Sequence, residues 1–178
     1  MARTARLDLR EFSLAEAPLF LALNADPEVL RHTGDAPFAD VAEAAALIRG
    51  YDRYRRHGFG RWSLYRRAEG NFIGWCGLSR DDATGEVDLG FRLFRAAWGQ
   101  GYATEAARAC LDLAFGRFGL AEVVARARPG NAASLVVLRK LGFREAGMME
   151  REGQPWCRFV LRRGEAIPPP PPPAPGWG

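Results

Sequence analysis

The chain has 178 residues, 48% hydrophobic and 26% charged, which is the length of one domain and the composition of an ordinary globular protein. It has no run of about 18 apolar residues to cross a membrane, no collagen-like or wholly disordered composition, and three widely spaced cysteines (Cys76, Cys110, Cys157) with no metal-ligand spacing, so no disulfide framework and no metal are expected. The net charge of +4 is too mild to argue for nucleic acid, and neither nucleic acid nor membrane is expected as a partner.

Residues 1–12 are polar and charged, with no apolar leader segment. Together with the free thiols this sets the expectation of a reduced, cytoplasmic protein. Residues 6–12 alternate as a strand. Ser13-Leu14-Ala15-Glu16 is a capping box that opens a short helix to about residue 24. Residues 26–31 form a further helical turn, and 40–54 form a helix closed near Gly58. Residues 61–67 alternate, 72–78 follow the turn Ala68-Glu69-Gly70-Asn71 as the hairpin partner, and 86–94 follow a second turn at 81–85, which predicts an antiparallel meander.

The pattern then changes period. A helix runs from the Gly99–Gly101 turn to about residue 117, with Ala103, Ala106, Ala107, Cys110, Leu113 and Ala114 on one face. Residues 122–128 form a strand and Asn131 caps a short helix that Gly142 stops. Residues 143–146 and 156–162 are final strands. A meander followed by strand, helix, strand, helix and strand is a mixed α/β sheet. The folded domain is placed at residues 5–164. Residues 165–178, with an unbroken proline run at 168–173, are expected to be a disordered proline-rich tail.

The chemistry concentrates in Val87 to Ala106, where a strand enters a Gly99-Gln100-Gly101 turn and then a helix. Left-handed glycines let successive N–H groups converge, and the helix start adds partial positive charge, so the turn suits a phosphate or pyrophosphate. It matches neither a Walker loop nor a dinucleotide fingerprint, since position 104 is Thr104. By itself the turn is equally readable as a tight strand-to-helix connection.

Further on come Pro129-Gly130-Asn131-Ala132-Ala133-Ser134 and Leu141-Gly142-Phe143. With these in place the chain resembles the GCN5-related N-acetyltransferase (GNAT) superfamily, and within it the branch of ribosomal-protein alanine N-acetyltransferases. The resemblance also covers Leu7-Asp8-Leu9-Arg10, Asp26-Pro27-Glu28-Val29, Phe59-Gly60-Arg61-Trp62 and Ile73-Gly74-Trp75-Cys76-Gly77-Leu78. It departs from the pattern at Ala96, where the family has Gln or Arg, and in the short region after Phe143.

The resemblance implies acetyl-CoA as co-substrate, no metal, and a cleft where the third meander strand splays from the next parallel strand. It places the pantetheine arm on Leu93, Phe94 and Arg95, and the pyrophosphate on amides of Gly99, Gln100, Gly101, Tyr102, Ala103 and Thr104. Asn131 would contact the cofactor arm, a role compatible with its helix cap. Asp88 is the leading general base, with Glu150 and Glu152 as rivals, and Ser134 is the donor to the leaving sulfur. A surface or Arg-paired carboxylate at Asp88, and a capping hydroxyl at Ser134, are the plain structural alternatives. Arg92, Arg95 and Arg139 are further candidates for the phosphates. His32 and His57 are not expected to act as bases, and Arg53, Arg55 and Arg56 are expected to form a solvated helix face. Trp62 and Trp75 are expected in the core, and Trp98 either over the cofactor or against the sheet. The acceptor is left open among a protein N-terminus, a polyamine, an amino sugar and an antibiotic. A homodimer is among the states such proteins adopt, and a non-catalytic acyl-CoA-binding module is the alternative to an enzyme.

Overall fold

Alternation along the central strands decides how the molecule is layered. The computed structural model describes residues 2–151 and 153–165. The strands are β1 (Ala2–Arg3), β2 (Leu7–Arg10), β3 (Arg61–Arg66), β4 (Phe72–Arg80), β5 (Val87–Leu93), β6 (Glu122–Ala127), β7 (Arg144–Arg151) and β8 (Gln154–Arg162). They form one sheet in the order β1-β2-β3-β4-β5-β6-β8-β7. Every neighbouring pair is antiparallel except β5 and β6.

In β5, Val87, Leu89, Phe91 and Leu93 point to one face, where they meet Ala106, Ala107 and Cys110 of α5 (Tyr102–Asp112) and Leu138 of α6 (Ala132–Lys140). Val123, Ala125 and Ala127 of β6, and Cys157, Phe159 and Leu161 of β8, join the same core. The opposite face of β4 packs Phe72 and Trp75 against Phe20 and Leu23 of α1 (Ala17–Ala25), Val29 of α2 (Pro27–Leu30), and Ala44 and Ile48 of α3 (Val41–Arg49). The result is an α/β fold with helices on both faces of a mixed sheet.

Glycine is required at the centre of the sheet. A Cβ at Gly74 would lie 2.1 Å from the Arg92 carbonyl oxygen, with φ at +138°. β4 and β5 therefore approach more closely there than any side chain allows.

Three differences from the expected elements have tertiary causes. The helix expected over 40–54 is two helices, α3 and α4 (Arg53–His57). Gly50 ends the first by donating to Ala46 O at 2.9 Å. Tyr51 and Tyr54 then clasp the start of β3: the Tyr51 hydroxyl accepts the Arg61 N–H at 2.7 Å and the Tyr54 hydroxyl donates to the Arg61 carbonyl. The helix expected to reach 117 is α-helical to Asp112, then widens to a π turn over Leu113–Arg117. Phe118 follows and stacks on Phe59, with ring centroids 5.2 Å apart. The final strands are longer than their apolar alternation suggested, because β7 and β8 form a hairpin and β8 inserts beside β6. The residues beyond 165, including the proline run, lie outside the described residues.

Candidate active site

The parallel pair β5–β6 meets in register at Asp88↔Val124 and forms no other pair among the described residues. Beyond that point the two strands part. Phe94 N–H donates to Ile73 O at 3.0 Å, so ladder alternation turns residues 88, 90 and 92 toward β4 with their backbone groups. The N–H groups of Phe91 and Leu93 accordingly face the gap left by β6.

This narrows the expectation for 93–95. Leu93 presents its N–H to the gap, while its carbonyl accepts the Trp98 indole N–H at 2.9 Å. Phe94 is bonded into the sheet through its N–H, and its carbonyl accepts from Ala97 at 2.9 Å. The Arg95 carbonyl accepts from Trp98 N–H at 3.0 Å, and its side chain pairs with Asp26 at 2.9 Å. Phe91, which spacing did not single out, offers the second free donor.

At the end of β5 the chain makes a turn of 3-10 helix (Arg95–Ala97) and enters α5 through Gly99 and Gly101, with φ of +73° and +80°. The first intrahelical bond is Glu105 N–H to Gly101 O at 3.0 Å. The N–H groups of Tyr102, Ala103 and Thr104 precede it and have no carbonyl within the helix to bond. The Gln100 carbonyl accepts from Arg6 Nη1 at 3.0 Å and its side chain donates to Ala96 O at 2.6 Å. Tyr102 is buried beneath the Arg6 guanidinium, 4.5 Å from ring centroid to Cζ. Three contacts hold this helix start in place: Glu105 accepts from the Thr4 hydroxyl (2.5 Å), the Arg6 N–H (2.9 Å) and Arg6 Nε (2.6 Å). Burial alone would raise the Glu105 carboxyl, but these donors outweigh it and hold the carboxyl below its ordinary value.

Asp88, Asn131 and Ser134 line one cleft of about 220 Å³ at the split. Asn131 Oδ1 accepts the Ser134 N–H at 3.1 Å, so the cap expected from sequence is formed through the side-chain oxygen. The amide nitrogen carries two separate donors. Asp88 accepts from Arg126 Nη1 at 3.0 Å and has Arg61 Nη2 at 3.7 Å. Its side chain is 22% exposed. Burial pushes its carboxyl upward, against the pull of Arg61 and Arg126.

Arg126 and Arg158 are direct cross-strand neighbours in β6 and β8, and Glu86 bridges the pair by accepting from both. Glu150 is exposed on β7 and is not part of the cleft wall, which instead includes its neighbour Arg151. Glu152 lies outside the described residues.

Several wall residues were not legible as such in the sequence. His32, Thr33 and Asp35, in the loop after α2, and Arg61, Trp75 and Trp156 join Asp88 in the cleft. Arg92 is 9% exposed and tied to Asn24 Oδ1 (2.6 Å) and to Asp35, away from the helix start where a phosphate would sit. Arg53 and Arg56, expected as a solvated face, both pair with Asp82 (3.0 and 2.9 Å), and His57 lies 3.1 Å from the same residue. Trp98 packs its indole N–H on the end of β5 while remaining 47% exposed.

A sheet split at one parallel pair, with a helix N-terminus at the mouth of the split, is the architecture of the acetyltransferases. An acetyltransferase structure from Agrobacterium tumefaciens superposes with a TM-score of 0.79 at 25% identity, covering 91% of this chain and 94% of that one. Residues 6–144 match the family model described as an acetyltransferase (GNAT) domain, and the chain belongs to that family. An uncharacterized N-acetyltransferase, p20, of Bacillus licheniformis is 31% identical over 148 residues, 82% of this chain and 83% of that protein. The FsC-acetyl coenzyme A-N(2)-transacetylase of Aspergillus fumigatus is 33% identical over 157 residues, 78% of this chain and 63% of that protein. The chain is thus an acetyl-CoA-dependent N-acetyltransferase.

Proposed function

We propose that the chain transfers acetyl from acetyl-CoA to a primary amine, a protein N-terminus or a small molecule, by direct attack on the thioester. The observation that carries this is the meeting, at one split, of free β5 amides, an unbonded helix start and a half-buried carboxylate. The amides of 99–104 bind the pyrophosphate, with Tyr102, Ala103 and Thr104 as the strongest donors. The Leu93 and Phe91 N–H groups hold the pantetheine arm and polarise the thioester carbonyl, an effect worth a few kcal/mol per well-placed donor. The Asn131 side-chain amide donates to the same arm.

The incoming ammonium gives its proton to Asp88, directly or through one water. The free amine adds to the carbonyl carbon, the C–S bond breaks, the sulfur takes a proton from the Ser134 hydroxyl, and Ser134 regains one from the nitrogen of the adduct, which leaves as the neutral amide. An upward-shifted carboxyl is the better base here, because its proton affinity approaches that needed to deprotonate an amine. The buried free thiols Cys76 and Cys110, with sulfurs 3.8 Å apart, support a reducing cytoplasmic setting.

The test combines calorimetry with release of CoA thiol. The protein is expected to bind acetyl-CoA and to release thiol when supplied with an amine. Gly101→Glu sets an anion where the diphosphate belongs and forces a side chain into left-handed backbone, so affinity should fall by at least roughly a hundredfold. Unchanged affinity would remove the turn as the binding site, and binding without thiol release on any amine would mark a regulatory module instead.

A further inference from the structure

The wall of the cleft opposite α5 has a charge pattern that acetyl transfer does not account for. Arg61, Arg92 and Arg126 line it together with Asp35 and Asp88. Arg126 is neutralised by Asp88 and Glu86, and Arg92 by Asp35. Arg61 is not. Its guanidinium makes no side-chain hydrogen bond among the described residues, and its Nε is buried without an acceptor. Its one carboxylate neighbour, Asp88, stands 3.7 Å away, beyond hydrogen-bond distance.

Arg61 is nevertheless held in position. It lies over the Trp75 ring, 4.6 Å from the centroid, and Arg92 lies 5.4 Å from the same ring. It also occupies the space that a side chain at Gly90 would claim, since a Cβ there would stand 3.3 Å from Arg61 Nη2. A stacked guanidinium with open donors suits a planar carboxylate, which it can meet with two parallel hydrogen bonds.

We infer that the acceptor is an amine carrying its own carboxylate one carbon away, an α-amino acid or a close analogue. Its ammonium sits on Asp88 and its carboxylate on Arg61. This assignment rests on acetyl transfer taking place in the same cleft. The two protein groups present opposite charges side by side, as the ammonium and carboxylate of an α-amino acid do. A polyamine has no carboxylate to place on Arg61, and its further ammonium groups would face Arg61 and Arg92. It also gives no carboxylate-reading advantage to a peptide N-terminus, where the neighbouring carbonyl is an uncharged amide.

The experiment measures kcat/KM by CoA thiol release for a panel of α-amino acids, their primary amides, the corresponding decarboxylated amines, and spermidine. The best amino acid is expected to exceed its own amide by roughly tenfold or more, the discrimination typical of a charge-assisted hydrogen bond. Arg61→Gln should collapse that ratio toward one, and Arg61→Lys, which keeps the charge, should retain part of it. An amide or spermidine used as well as the amino acid, a ratio unmoved in Arg61→Gln, or acetyl-CoA binding with no turnover of any acid would overturn the inference. Calorimetry on the same wild-type protein separates the two levels: loss of this inference with acetyl-CoA still bound leaves the cofactor site standing, whereas absent acetyl-CoA binding removes the reading beneath it.

Discussion

Asp88 is set in its environment by three neighbours from two strands: Arg61 at the start of β3, and Arg126 and the parallel register partner Val124 in β6. Its carboxyl is half-buried and shifted upward, so the acid limb of the rate profile belongs above the ordinary value of 3.8. The carboxylate form is the active one. Activity therefore falls as pH drops through that raised value and is full above it. Asp88→Asn is expected to lower kcat by roughly a hundredfold with little change in acetyl-CoA affinity, and to abolish the acid limb. Steady-state kinetics across pH with calorimetry at neutral pH checks this, and an unchanged rate would remove Asp88 as base. The acidic residue before Leu-Gly-Phe was legible in the sequence. Its arginine partners were not, because in a chain with 24 arginines among 25 basic residues the residue type alone carries no positional information.

At the scale of elements, period did most of the work. The strand alternation of β5, and the helical spacing of Ala106, Ala107 and Cys110 in α5, match the faces that are buried, whereas β4, at the centre of the sheet, is buried on both faces. Boundaries failed where a distant contact outweighed local preference, as in the break between α3 and α4 that Tyr51 and Tyr54 impose by clasping β3. β1, a two-residue strand paired to β2, carried no periodic signal at all. The close approach of β4 and β5 gives a direct test. Gly74→Ala would drive a methyl group to within 2.1 Å of the Arg92 carbonyl oxygen, so the strands must separate at the place where β5 begins to line the cleft. A loss of about 3 kcal/mol in chemical denaturation is expected, with a matching fall in acetyl-CoA affinity. Wild-type stability in this variant would show that the two strands have slack.

For the molecule as a whole, the N-terminal hairpin and α5 are joined through Glu105. Thr4 and Arg6 reach across about a hundred residues of chain to the first turn of α5, so the helix start that would grip a diphosphate is anchored to the far edge of the sheet. Glu105 is held below its ordinary value of 4.5 in the folded protein. Its contribution to stability is whole above pH 4.5 and is lost as pH falls through the lower folded value. Glu105→Gln should destabilise the protein by about 1–2 kcal/mol at neutral pH, and the gap between the two proteins should close in acid. Denaturation midpoints at pH 7 and pH 3 measure it, and a gap independent of pH would mean that packing rather than charge joins the two elements.

Asp88 and Ser134 entered as candidates through the family resemblance; what the sequence determined unaided was the order of elements, the glycine turn ahead of α5 and the Asn131 helix cap. Each is set by local chemistry: side-chain period, the freedom of glycine at positive φ, and the capping geometry of an asparagine. Only the folded structure decided which amides of β5 stay unbonded, because that depends on where β6 parts from it. Only the structure brought Arg61, Trp75 and the loop at 32–35 to the wall around Asp88, since they come from segments far apart in the chain. A hydrogen bond left unmade and an ion pair left long are properties of neighbours in space, and no spacing along the chain encodes them.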